Sequence, residues 1–467
     1  MPLLIAGGAL LLTVILIVGV VALRGGDEGE TVETAEGGST KPAKAPSSTP
    51  SATPAPKRKG PPKPKAFRNP AFDEAKAAAQ VGRHEDALVA FETLAEAHPK
   101  QPQVQLAMAR TLKALDRNRD AIDALEQAVK LDKRYHEAWK ELAALCVQLR
   151  RWPEAERALG KVLKYDGDKP EPHTQLSACY LKLRNPKRAR DAAAYAIKLA
   201  PKRSAGHFAL GAACMELEDW PEATKAFEEA VRLKPKDTRY LTALGVCHAH
   251  DARWSDAKRT YLRAVAEDPM YADAQYGLVP VLANKDEFKE ALKAFEAGAA
   301  GRLDDRETPR PKGGRTGHVS CVDAAVSALE SAARGNRSNA DAQYALGGAY
   351  YAMKRYREAL EPLGDALRID RRHVGAATSL GMTYARLDRP TDAIAQLKRA
   401  VLLDPSRAET HFQLGEMLIA RKQNAEALAA YRKAVENDPG HVEAMCGIGD
   451  AYRRMKKFID ARDAYEK

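Results

Sequence analysis

From Arg68 onward the chain repeats itself every 34 residues, and no other feature restricts its fold as tightly. With blocks beginning at residues 68, 102, 136 and so on, position 20 is alanine in all twelve, from Ala87 and Ala121 through to Ala427 and Ala461. Position 24 is always apolar, as in Phe91, Leu125, Phe227, Tyr261, Leu397 and Tyr431. Position 8 is small in most blocks, including Ala109, Ala143, Ser177, Gly211, Gly245 and Gly415. Position 32 is proline at Pro99, Pro201, Pro235, Pro269, Pro405 and Pro439. Each block therefore carries two apolar stripes at helical spacing, such as Leu210, Gly211 and Cys214, then Ala223, Phe227 and Ala230, with a short polar turn between. Proline at position 32 cannot continue the second helix. Small residues at positions 8 and 20 let the paired helices approach closely, and the large one at 24 fills the space beside them. A single hairpin cannot bury its own apolar face, so the blocks must stack.

This pattern resembles the tetratricopeptide repeat family. Block 204–237 shows it clearly, with Leu210-Gly211 in the first helix, Ala223, Phe227 and Ala230 in the second, then Pro235. Block 136–169 also carries the family's tryptophan as Trp139, followed by Leu142. The resemblance implies an all-α, right-handed superhelical solenoid of helical hairpins, with first helices lining a concave groove. Seven repeats are expected over 68–301 and four over 340–467, the last stopping eight residues short. Between them, block 306–339 keeps a second helix (about 320–334, with Ala325, Leu329 and Ala332 in register) but has RETPRPKGGRTGHVS in place of the first. Its prolines and glycines predict a loop over 302–319. The last block has no polar capping helix, so the chain is expected either to be a fragment or to pack this end on a partner.

Ahead of the repeats, Leu3–Leu23 is an unbroken apolar or small-residue run of 21 residues. At about 1.5 Å per residue it spans roughly the thickness of a hydrocarbon core. It is too long and lacks the basic start and small-x-small site of a cleaved signal peptide. Residues 1–24 are read as a single transmembrane helix. It is the only apolar run of that length, which excludes a multi-span transporter. The side of the membrane carrying the body is not readable from the flanking charges. Residues 25–67 are read as a disordered linker rich in Pro, Ala and Lys, too polar to form a core. Its Lys57–Lys65 stretch could contact anionic lipid if the body is cytoplasmic. The net charge of +11 is concentrated there: residues 25–36 carry −5 and residues 37–68 carry +8, while Arg24 adds one. The remaining 399 residues hold +7, close to balance for their length.

Sites for chemistry are hard to find. Six cysteines, none in a C-x-x-C pair, exclude a disulfide-stapled scaffold and argue against a thiolate metal site. Cys146, Cys179, Cys214 and Cys247 fall at positions 10 or 11 of successive first helices, where a buried structural thiol is expected. His248 and His250 point about 200° apart on a helix and cannot share one ion. His173, His207 and His411 occupy position 4 and read as packing residues. Lys312–Gly317 lacks the order of a phosphate-binding loop. Neither a hydrolase nor a metalloprotease, calcium or dinucleotide motif occurs. No cofactor, metal or catalytic residue is expected, and the chain reads as a non-enzyme.

Family geometry would place positions 2, 5, 9, 12 and 13 of each first helix on the groove. Those include Phe72, Leu106, Arg110, Lys113, Lys140, Phe208, Met215, Arg239, Tyr276, Tyr344, Tyr351, Met382, Arg386, Phe412 and Ile419. Aromatic and apolar side chains with scattered cations suit an extended peptide or an amphipathic helix. The family's chaperone-tail clamp needs Lys at position 5 with Asn at position 9; Lys140 is followed by Ala144, so that ligand is not expected. The leading expectation is a membrane-anchored scaffold or adaptor that binds peptide or helical segments of partner proteins. A second is a substrate-selecting region of an enzyme whose catalytic domain lies beyond residue 467. A third is a structural or secretion-assembly factor working outside the cytoplasm. Nucleic-acid binding is disfavoured because the array lacks a dense basic stripe.

Overall fold

The computed structural model describes residues 67–304 and 318–466. The Leu3–Leu23 span and residues 25–66 lie outside the described residues. Among those described, no helix is long and apolar enough to cross a membrane, and all secondary structure is helical.

Two compact units are present. Residues 67–234 form α1 (Pro70–Gln80), α2 (His84–Ala97), α3 (Pro102–Ala114), α4 (Asn118–Leu131), α5 (His136–Gln148), α6 (Trp152–Asp166), α7 (Pro170–Lys182), α8 (Pro186–Leu199), α9 (Ser204–Glu216) and α10 (Trp220–Leu233). Residues 235–466 form α11 (Thr238–His250), α12 (Trp254–Glu267), α13 (Ala272–Asn284), α14 (Phe288–Asp304), α15 (His318–Gly335), α16 (Ala340–Ala352), α17 (Tyr356–Ile369), α18 (Val374–Arg386), α19 (Pro390–Leu403), α20 (Ala408–Ala420), α21 (Asn424–Asn437), α22 (Val442–Arg454) and α23 (Phe458–Tyr465). Within each unit a first helix packs on its own second helix, and that second helix packs on the next first helix.

The turns explain the strict period. Ten hairpins close through a non-glycine residue in the left-handed region, φ 55–63°, from Asp116 and Arg150 to Lys422 and Lys456. Gly82 does the same in the first hairpin at φ 84°. At the end of α3 this lets Arg117 N–H reach the Leu112 carbonyl at 2.9 Å, capping orphan acceptors of the last turn. Second helices end differently. Asp132, Asp268, Asp370, Asp404 and Asp438 each accept the backbone N–H two residues on, at 2.8–3.1 Å, turning the chain into the next hairpin.

Position 20 explains itself in three dimensions: Ala87, Ala121, Ala155 and their equivalents through Ala427 are all 0% exposed. Position 8 meets the ring or branched side chain at position 24. A methyl on Gly211 would stand 2.7 Å from the Phe227 ring. Tyr431 lies between Gly415 and Gly447, each too close for a β-carbon.

The incomplete block departs from expectation. α14 continues to Asp304 and α15 begins at His318, so helices take up both ends of the segment predicted as a loop; residues 305–317 are outside the described residues. α15 does carry buried Ala325 and Leu329. It packs, however, on α13 and α16. Asn336, just past α15, donates to Asp286 at the end of α13, at 3.2 Å. Lys289 at the start of α14 pairs with Asp341 at the start of α16, at 3.4 Å. The α15 helix therefore runs alongside α13 in the same direction, and α16 alongside α14. Gln343 donates to the Ala333 carbonyl and Tyr350 to Glu330, stitching α15 to α16.

Candidate interaction surface

First helices of neighbouring hairpins touch, α7 with α9 in the first unit and α16 with α18 and α18 with α20 in the second, so the outward residues of each such run share a face. In the first unit that face is dominated by charge. Arg110 on α3 reaches Glu137 at 2.6 Å and Glu141 through Nε at 2.8 Å, both on α5. Partial burial works against the guanidinium's charge, but these two carboxylates more than compensate and hold its pKa above the ordinary value. One hairpin step on, Asp166 at the end of α6 is nearly fully buried. His136 Nε2 donates to it at 2.9 Å, Lys169 at 2.8 Å, and Lys140 stands 3.5 Å away. Burial pushes the Asp166 pKa up, yet the bonds from Lys169 and His136 bring it below the usual aspartate value. Phe208 is half-buried against Phe227, ring centroids 5.6 Å apart, and Met215 is half-buried one helix turn further along.

In the second unit the face is more aromatic. Tyr344 on α16 lies beside His373, their ring centroids 4.7 Å apart. Tyr351 nearby on α16 holds the Arg386 guanidinium pKa above its ordinary value. Phe412 on α20 lies 4.9 Å from the His441 ring and 6.0 Å from Tyr431. Met382 and Ile419 are half-buried on the same helices. Glu296 of α14 belongs to this neighbourhood too. Surrounding protein raises its pKa, and Arg407, ahead of α20, opposes that rise. Arg239 is exposed and held by Asp237 at 2.8 Å.

Three expected groove residues are spent in packing instead. Phe72 is 7% exposed and packs against Phe67 and Phe91. Leu106 is 2% exposed within the α3–α6 core. Tyr276 is 3% exposed against Phe295. All three lie on first helices, as expected, but their side chains are buried in the core.

Other roles were missed. Position 4 is a donor position: Trp139, His173, His207, Gln275 and His411 each give a side-chain N–H to the backbone carbonyl six residues earlier, at 2.8–3.1 Å. A ring or amide N–H in every one of these residues was the available signal. The four laddered cysteines are buried as expected, and burial pushes the Cys146, Cys179 and Cys214 thiols up to about 11. No cluster of three metal-ligating side chains occurs among the described residues.

Comparison with known families settles what the hairpins are. Models described as tetratricopeptide repeat match residues 78–146, 112–179, 180–238, 215–257, 251–305, 322–373, 378–442 and 418–467. The chain belongs to the tetratricopeptide repeat family. No curated protein sequence matches it. Among solved structures, this tetratricopeptide repeat chain is similar to Naa15/Naa10 bound to HypK-THB, at 16% identity and TM-score 0.42 over 84% of this chain. It spans 62% of the length of that protein. It is also similar to MamA (24% identity, 32% of this chain and 86% of that one, TM-score 0.31). A third is YrrB, described as a TPR protein with an unusual peptide-binding site (20% identity, 48% of this chain and 97% of that one, TM-score 0.25). These likenesses concern the fold alone.

Proposed function

We propose that this protein is a membrane-anchored interaction scaffold that holds peptide or helical segments of partner proteins against its first helices and so helps assemble a membrane-associated complex. Its action is binding, with no bond made or broken. The observation that carries this reading is the α16–α18–α20 face. Tyr344, Tyr351, Arg386 and Phe412 present half-buried aromatic surface and an exposed cation on rigid helices, the combination that dominates binding energy at protein interfaces. In this reading Leu3–Leu23 supplies the anchor and the linker sets the reach of the array.

A photoreactive amino acid at position 351 tests it in cells. The expected result is a crosslink to a discrete protein from position 351 and none from position 402 on α19, where Leu402 is 82% exposed on a second helix. Phe412→Ala and Arg386→Glu should each reduce that crosslink. Equal crosslinking from both positions would overturn the groove assignment.

A further inference from the structure

The surplus charge of the repeat region is not spread over it. Hairpin 170–203 holds eight cations (Lys182, Arg184, Lys187, Arg188, Arg190, Lys198, Lys202 and Arg203) and two acids, Glu171 and Asp191. Its surplus of six is nearly the whole +7 of residues 69–467. Five of these cations sit within nine residues, Lys182–Arg190, at the turn from α7 to α8, and all five are exposed.

This turn also breaks a rule kept elsewhere. Position 19, in the first turn of each second helix, is acidic in ten of twelve blocks. An acid there suits the positive end of the helix dipole. It also neutralises a neighbouring arginine, as Asp120 does Arg117, Glu154 does Arg151, Glu358 does Arg355 and Asp392 does Arg389. In α8 that position is Arg188, preceded by Lys187, and the first turn contains no acid. Among the described residues the one acid Arg188 pairs with is Glu156 of the previous hairpin, at 3.7 Å. Lys182, Arg184, Lys187 and Arg190 make no ion pair among the described residues. Four exposed cations left without an ion pair at a turn that breaks the local rule mark a place where compensation can come from outside.

We propose that the α7–α8 turn is a docking surface for a short acidic segment of a partner protein. The surroundings select that occupant over an extended polyanion. The next turn along the stack carries exposed Glu216, Glu218, Asp219 and Glu222. Arg190 and the acids Asp219 and Glu222 all act on Cys214, so the two turns adjoin. With helix axes roughly 8–10 Å apart, the basic patch is about one hairpin wide. A membrane plane or a nucleic-acid strand running along this edge would meet those four acids and be repelled. The one ring in the patch, Tyr180, has Arg188 over its face at 5.7 Å and is not open for base stacking.

The test uses the full chain in non-ionic detergent and fluorescein-labelled hexaglutamate, read by anisotropy. Binding is expected at low ionic strength and should weaken with added salt. The double variant Arg184→Asn, Lys187→Glu should bind at least about tenfold more weakly. Its thermal midpoint should hold or rise, because asparagine suits the left-handed turn and glutamate suits the start of a helix. Arg389→Glu, at a turn of the second unit, and Phe412→Ala, on the aromatic face, should both leave hexaglutamate binding unchanged, which separates this surface from the one proposed above. Absence of binding to the wild type, or undiminished binding to the double variant, would overturn the proposal. So would tighter binding of oligothymidylate through the same Arg184 and Lys187.

Discussion

Gly211 leaves no room for a methyl group beside Phe227, which is itself 1% exposed. Gly211→Ala should therefore cost about 1–3 kcal/mol through overpacking. The array already holds the relieved combination, alanine at position 8 with leucine at position 24, in Ala109 with Leu125 and Ala143 with Leu159. Adding Phe227→Leu to Gly211→Ala should then recover part of the loss, giving a favourable coupling in a double-mutant cycle read by urea unfolding. Strict additivity would show that the ring is not what excludes the methyl. The second residue of note is Asp166, whose folded-state pKa lies below its ordinary value because the bonds from Lys169 and His136 outweigh burial. A carboxyl lowered in this way contributes stability that is complete above its unfolded pKa, about 3.9, and is lost as pH falls through the lower folded value. Asp166→Asn should remove that acid-limb contribution while leaving the pH 7 to 9 profile flat. Asp166→Ala should cost about 1–3 kcal/mol at neutral pH by stranding the buried His136 donor. An unchanged acid-unfolding curve in Asp166→Asn would rule the mechanism out.

The helices themselves were almost fully legible, because each reports its apolar stripe, its alanine at position 20 and its turn at fixed spacing. What could not be read was where an orphan helix goes. α15 carries the stripe of a second helix, Ala325, Leu329 and their neighbours, but period alone says nothing about which groove receives a stripe when the preceding residues do not follow the first-helix pattern. The answer depends on α13 and α16 offering a joint surface, closed by Asn336–Asp286 and Tyr350–Glu330. In that position α15 is an internal wedge, and Leu329, 0% exposed, is its centre. Leu329→Ala should cost about 2–5 kcal/mol. The loss should be local, as expected for a stacked array in which each element contacts only its neighbours. Hydrogen exchange should quicken in α13 and α16 and stay unchanged in α5 and α6. Faster exchange confined to α15 would mean the wedge is dispensable. The exposure of the expected groove residues was legible only in part. Tyr344, Tyr351, Arg386 and Phe412 stay half-buried or exposed, whereas Phe72, Leu106 and Tyr276 are buried, because a position on a helix face does not specify whether a neighbour arrives to cover it.

On the scale of the whole molecule, charge is the property that a net value conceals. A surplus of seven over 399 residues reads as balance, yet six of it lies on hairpin 170–203, five of those cations fall within nine consecutive residues, and the fold exposes them at one turn beside an acidic one. The same molecule carries a basic stretch from Lys57 to Lys65 ahead of the repeats. Two kinds of membrane attachment are thus open to a chain of this composition, and they respond oppositely to salt. Attachment through basic side chains weakens as ionic strength rises, since the Debye length contracts from about 10 Å at 0.1 M to about 3 Å at 1 M. The proposed Leu3–Leu23 anchor, 21 apolar or small residues, would be held by hydrocarbon burial and be indifferent to salt. The proposed anchor therefore predicts that the full chain sediments with membranes and stays there through 1 M NaCl and alkaline carbonate, leaving only with detergent. Deleting residues 3–23 should move the chain to the soluble fraction in 1 M NaCl, whatever basic contacts persist at low salt. Release of the intact full chain by salt alone would show that the basic segments hold it and that the apolar run does not span the bilayer.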